Sequence, residues 1–118
     1  MYAPGVQDLT IYQGTSWSLN VKWRINEFDV DMSGWKARMQ IRTDAASQEV
    51  IVELSTENGR ISLEELPGWA VLRLKPEDTR IASTRYAYDL VLDDGTSTFP
   101  LLRGRVSVKG GVTDDGER

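Results

Sequence analysis

The stretch Arg85-Tyr86-Ala87-Tyr88-Asp89-Leu90-Val91-Leu92, closed by Asp93-Asp94-Gly95, decides how this chain is read. Tyr86, Tyr88, Leu90 and Leu92 fall on one face, and Arg85, Ala87, Asp89 and Val91 on the other. A period of two carried by aromatic and branched side chains is the pattern of a half-buried strand. The turn residues that follow end it. Everything on either side reads as sheet built around this strand.

Downstream, residues 99–109 form the last strand. Leu102, Gly104, Val106 and Val108 face in, and Arg103, Arg105, Ser107 and Lys109 face out. Pro100 lies near the start, where a missing N–H is tolerated. Upstream, residues 76–82 carry the one helical signal. Pro76 suits the first helical position, and Glu77 and Asp78 complement the positive end of the helix dipole.

Further upstream the alternation recurs. Residues 8–12 form a strand with Leu9 and Ile11 on one face. In residues 16–24, Trp17, Leu19, Val21 and Trp23 alternate with polar side chains. In residues 35–42, Trp35, Ala37, Met39 and Ile41 alternate with Lys36, Arg38, Gln40 and Arg42. Val50, Val52 and Leu54 give a further strand, whose alternation Ile51 partly spoils. Asn58-Gly59 is a hairpin signal. Ile61 and Leu63 begin a short strand, Pro67-Gly68 breaks the chain, and residues 69–75 form another strand with Ala70, Leu72 and Leu74 on one face. Residues 26–34 read as a polar connection. Asp29 and Asp31 in it could serve as calcium ligands, but a full site needs about six to eight oxygens, so a solvated loop is the preferred reading.

The 118 residues fit one domain, 1–118, with a lead-in over 1–7 and a flexible acidic tail over 110–118. Seven or eight antiparallel strands with one short helical turn indicate an all-β, immunoglobulin-like sandwich, with a small closed barrel as the alternative. Two details favour the sandwich. The helical turn sits where such domains cross between sheets. Tyr86, two residues before Tyr88, has the placing of a tyrosine corner, whose hydroxyl bonds backbone a few residues upstream. Tyr88 then takes the place that antibody domains give to cysteine, and Trp35 or Trp23 supplies the buried indole. Trp17, Trp23 and Trp35 are assigned to the core; Trp69 could lie open.

The chain has no cysteine and no histidine. No disulfide, thiolate metal site or Ser/His/Asp arrangement can be drawn, and no cofactor or metal is expected. The pairs Glu64-Glu65, Glu77-Asp78 and Asp93-Asp94 lie on strands or turns, where neighbours diverge or simply solvate. The expectation is a protein that is not an enzyme. A net charge of −4 argues against nucleic acid. No apolar run approaches the ~20 residues of a membrane span, and the N-terminus lacks a signal pattern. A soluble protein made in the cytoplasm is expected.

One constellation stands out. If the strands over 35–42, 85–92 and 99–109 share a sheet with the 85–92 strand in the middle, their outer faces gather Lys36, Arg38, Arg42, Arg85, Asp89, Arg103, Arg105 and Lys109. On an acidic protein this is a cationic face with one carboxylate at its centre. It reads either as a solvated surface on which Asp89 pairs with flanking arginines, or as a docking surface for an acidic partner or a neighbouring subunit, with arginine as anchor.

Three stretches also occur in a characteristic order. They are Leu9-Thr10-Ile11-Tyr12-Gln13-Gly14-Thr15-Ser16-Trp17-Ser18-Leu19, then Asp31-Met32-Ser33-Gly34-Trp35-Lys36-Ala37-Arg38-Met39-Gln40-Ile41-Arg42, then the 85–92 strand followed by Leu102-Arg103-Gly104-Arg105-Val106-Ser107-Val108. This order resembles that of small phage and prophage proteins, and of the immunoglobulin-like domain at the N-terminus of phage upper-baseplate proteins. The resemblance runs from about residue 9 to residue 108. It implies a structural or adaptor component of a tailed-phage virion, in tail, baseplate, neck or head surface, whose partners are other virion proteins or copies of itself. A glycan or host-surface binding module, or a soluble phage regulator or inhibitor, is the alternative.

Overall fold

The computed structural model describes residues 4–25 and 28–110. Eleven strands run in chain order: β1 (Gly5–Val6), β2 (Leu9–Tyr12), β3 (Trp17–Lys22), β4 (Arg24–Ile25), β5 (Phe28–Asp29), β6 (Lys36–Arg42), β7 (Val50–Ser55), β8 (Ile61–Ser62), β9 (Trp69–Leu74), β10 (Arg85–Asp93) and β11 (Thr98–Lys109). The larger sheet has the order β1-β11-β10-β6-β7, with β2 also on β11; the smaller is β3-β9-β8. This is the strand order of an immunoglobulin-like sandwich rather than a closed barrel. As the sandwich topology expected from the sequence required, β10 lies between β6 and β11, antiparallel to both.

The two inner faces meet in one core. Met39, Ile41, Leu54, Leu72, Leu90, Leu92 and Val106 are fully buried in it. Tyr86 and Tyr88 join them. The Tyr86 hydroxyl donates to the Ala82 carbonyl at 2.7 Å, forming the expected tyrosine corner. The buried indole is Trp23; Trp35 is half-buried and meets it edge-on at 5.7 Å, with Phe99 against both rings.

Several expectations give way to a specific local cause. Asn58-Gly59 does not make a hairpin: β7 belongs to one sheet and β8 to the other, so the turn carries the chain across the sandwich. Asn58 shapes that crossing by accepting from the Ser55 and Arg60 amides and donating to the Glu53 carbonyl. The 76–82 helix shrinks to a 3-10 turn, Pro76–Thr79, whose buried Thr79 hydroxyl donates to the Thr15 carbonyl at 2.8 Å. The 26–34 connection contains β5, paired with β4, and the 1–7 lead-in contains β1. The tail expected over 110–118 lies outside the described residues from 111 on.

Two irregularities reshape the faces. The register of β6 and β7 shifts at Ile41/Arg42, so Ile41 opposes Val52 and Arg42 opposes Val50. Ile51 is the extra residue of a β-bulge, which is why it breaks the alternation. A second shift opposite Leu90/Val91 leaves Leu101 unpaired in β11, and both Leu101 and Leu102 are buried. The register beyond that bulge keeps Arg103 and Arg105 on the outer face.

β1 and β2 are two pieces of one path alongside β11. Gly5 and Val6 oppose Leu102 and Arg103, and Leu9 to Tyr12 oppose Val106 to Lys109, all parallel. Between them Gln7 and Asp8 cross over Gly104. A Cβ on Gly104 would lie 2.2 Å from the Gln7 carbonyl oxygen, so only glycine fits. That carbonyl accepts the Tyr88 hydroxyl at 2.6 Å.

Candidate docking surface

The outer face of the larger sheet is built row by row from its register. Arg103, Asp89, Gln40 and Glu53 lie side by side across four strands. The next row holds Arg105, Ala87, Arg42 and Val50, and beyond it Arg85 stands opposite Ser107. Ala87 is small, so the arginines around it enclose a shallow trough of about 830 Å³. One wall is the β1–β2 crossing with Val6 and Asp8, the other the loop with Thr43, Asp44 and Ala45.

Five of the eight residues expected on this face line the trough: Arg42, Arg85, Asp89, Arg103 and Arg105. The other three lie elsewhere on the sheet. Lys36 is ion-paired with Glu57 at 3.6 Å and Arg38 with Glu53 at 3.1 Å, both in exposed positions. Lys109 stands at the far end of β11, opposite Tyr12. The sequence reading missed Asp8 and Asp44, so the centre is mixed rather than cationic around a single carboxylate. Asp8 sits at the crossing over Gly104, where its carboxylate accepts the Arg105 amide at 3.0 Å. The alternation over residues 8–12 turns Asp8 away from the Leu9 and Ile11 face, but it could not say that this segment runs beside β11.

The charges here are unequally tied. The half-buried Arg42 guanidinium donates to the Gln40 side-chain oxygen and to the Ser47 carbonyl, and Gln40 in turn donates to Glu53 at 3.0 Å. By contrast, Arg85, Asp89, Arg103 and Arg105 are exposed and make no ion pair among the described residues. Asp89 therefore does not pair with its flanking arginines, even though Arg103 is directly opposite on the ladder.

Beneath the trough, burial pushes the Tyr88 phenol up to about 12, and the Asp8 carboxylate adds to the shift. Burial raises Tyr86 as well. Both phenols stay neutral donors at ordinary pH.

Elsewhere, the calcium reading of Asp29 and Asp31 has no geometry behind it. Asp29 is ion-paired with Lys22 (3.4 Å) and Arg24 (3.0 Å). Asp31 accepts the Ser33 amide at 3.0 Å, and its hydrogen bonds to Ser33 hold its carboxyl below the usual range. Among the described residues no three carboxylates gather as metal ligands would. No open indole platform forms either: Trp17, Trp35 and Trp69 are half-buried, and the Lys22 ammonium lies 5.4 Å from the centre of the Trp69 ring.

No protein-family model matches the chain, and no characterised protein matches it in sequence. Among solved structures, it is similar to a chain in the crystal structure of ICOS in complex with ICOS-L and an anti ICOS-L VNAR domain. That likeness has 12% identity and a TM-score of 0.44, over 92% of this chain and 56% of that one. It is also similar to Drosophila OTK, extracellular domains 3-5, at 16% identity and a TM-score of 0.38, over 86% of this chain and 32% of that one. The chain thus spans about half of the first and a third of the second, and the likeness is one of fold alone.

Proposed function

We propose that this immunoglobulin-like sandwich is a non-enzymatic docking module, and that it serves as a structural or adaptor component of a tailed-phage particle. The observation that carries the docking role is the group of exposed arginines, Arg85, Arg103 and Arg105, around the trough on the outer sheet face, without ion-pair partners among the described residues. An exposed intramolecular pair contributes about 1 kcal/mol or less. An arginine desolvated against a partner's carboxylate, with its planar fork satisfied, contributes considerably more, and arginine is a frequent anchor of interfaces. Asp89 among them gives a partner's cation a complementary place and so fixes register. The particle role rests on the sequence resemblance over residues 9–108. The chemistry agrees with it: no histidine or cysteine is present, and a rigid sheet face suits repeated packing against copies or a larger scaffold.

Quantitative mass spectrometry of purified particles tests both parts. The protein is expected in the particles: many copies would mark a shell or tube component, few copies a neck, baseplate or fibre attachment. Its absence from particles, with presence in infected cells, overturns the particle role in favour of a regulator. The variant combining Arg85→Glu, Arg103→Glu and Arg105→Glu is expected to fold and to be lost from particles. Unchanged copy number would sink the docking face.

A further inference from the structure

Among the described residues, β3 carries a long bare edge. Its six residues end the order β3-β9-β8, and the strands preceding it, β1 and β2, both pair with β11 instead. Two bonds fix which of its groups face that edge. The Arg73 amide donates to the Arg60 carbonyl at 2.9 Å, so Arg73 turns its backbone toward β8. The Trp23 amide donates to the Gly68 carbonyl at 3.2 Å, so Gly68, and with it every second residue of β9, turns toward β3. Backbone groups alternate sides along a strand. Trp17, Leu19 and Val21 therefore bond to Leu74, Leu72 and Ala70, their partners on the ladder. The N–H and C=O groups of Ser18, Asn20 and Lys22 point outward along the open edge.

The other edges are short or guarded in ways that natural sheets use against pairing. β8 has two residues. β7 is bulged at Ile51, and its Glu53 carbonyl accepts from the Asn58 and Arg60 side chains. β1 and β2 are broken by the crossing at Gln7 and Asp8. β3 has no proline, no bulge and no inward charge, and its one cation, Lys22, is held by Asp29. Its inward side chains are also incompletely covered. Trp17, Leu19 and Val21 are half-buried, whereas Ala70, Leu72 and Leu74 beside them on β9 are at most 3% exposed.

We infer that β3 pairs with β3 of a second copy, antiparallel, about a two-fold axis through Asn20. In this register Asn20 opposes Asn20, and Ser18 opposes Lys22 in both directions, so every outward donor and acceptor of the strand finds a partner. Any other two-fold register leaves at least one of the three without a partner inside the strand. The occupant of this edge must bring an apolar row on the inner side and a small, nearly uncharged row on the outer side. β3 itself is such a strand: Leu19 meets Val21 within, the amides of Asn20 meet without, and the only charge faces a serine. The pairing joins two small sheets into one and leaves the arginine face of the larger sheet open, so it stands apart from the docking role proposed above.

The absence of cysteine makes the test clean. Facing residues of a hydrogen-bonded antiparallel pair have Cα atoms about 5.5 Å apart, within disulfide reach. The two copies of Ser18 would be about 14 Å apart, beyond it. Under mild oxidation Asn20→Cys is expected to form covalent dimers about tenfold faster than Ser18→Cys or more, given that difference in reach. The unmodified chain should double in mass with rising concentration by light scattering. Asn20→Pro, which removes an N–H from a solvent-facing edge, should keep the native circular dichroism and remain a monomer. A wild-type chain that stays monomeric into the millimolar range overturns the inference. So do equal cross-linking at the two positions, or a folded proline variant that still dimerises. The cross-linking pair decides the matter if the proline variant does not fold.

Discussion

Two tyrosines two residues apart on β10 do different work. Tyr86 closes a local corner on Ala82, a residue exposed enough for water to replace a lost donor. Tyr88 reaches past β11 to the Gln7 carbonyl, which lies close over Gly104. Each of Tyr86→Phe and Tyr88→Phe is therefore expected to cost about 0.5–1.5 kcal/mol, the net worth of one hydrogen bond. Urea unfolding of the two variants checks the size of the loss. Alkaline titration reads the burial of the two phenols directly. A phenol raised in the folded state, from near 10 to about 12 for Tyr88, stabilises fully below pH 10, and that stability is lost as pH rises through about 12. Phenolate absorbance should show a late step near pH 12 that Tyr88→Phe removes. A single step near pH 10 in the folded protein would contradict the buried geometry. The Tyr86 bond was legible in the sequence because its acceptor lies four residues away. The Tyr88 bond spans 81 residues, and no local pattern encodes it.

At the scale of the elements, the strands were legible wherever side chains alternated cleanly, as in β6, β9 and β10. What escaped was set by partners. Asn58-Gly59 looks like a hairpin turn, yet Ile61 and Leu63 are wanted in the core between the sheets, and their burial decides where the chain goes next. Residues 1–7 carry no alternation, so β1 was invisible until β11 offered it a parallel edge. Gly104 links the two ends of the chain. Gly104→Ala is expected to force Gln7 and Asp8 off β11 and to cost about 1–3 kcal/mol or more, as overpacking does. Hydrogen exchange should then accelerate at the Gln7 amide, which donates to Arg103, and at the Arg105 amide, which donates to Asp8. Unchanged protection at both amides would contradict the close crossing.

For the whole molecule, the candidate face was legible to the extent that the immunoglobulin-like topology, inferred from the run of strands, set β6, β10 and β11 side by side. That ordering placed Arg85, Asp89, Arg103 and Arg105 together. It could not say which cations were already neutralised, since the partners of Lys36 and Arg38 lie in and beyond β7. Nor could it supply Asp8, whose position depends on a glycine 96 residues later.

The parallel course of β1 and β2 along β11 has a mechanical consequence. Because those strands run the same way, residues 5 and 109 leave the sheet at opposite ends. Tension applied between these two points pulls along the strand axes and loads the hydrogen bonds of the seam together, in shear. Tension between Arg85 and Lys109 instead opens the antiparallel β10–β11 hairpin from its free end, one pair after another. Single-molecule pulling should show a higher rupture force in the first geometry than in the second. Load along the strand axes thus meets more resistance than load across the hairpin.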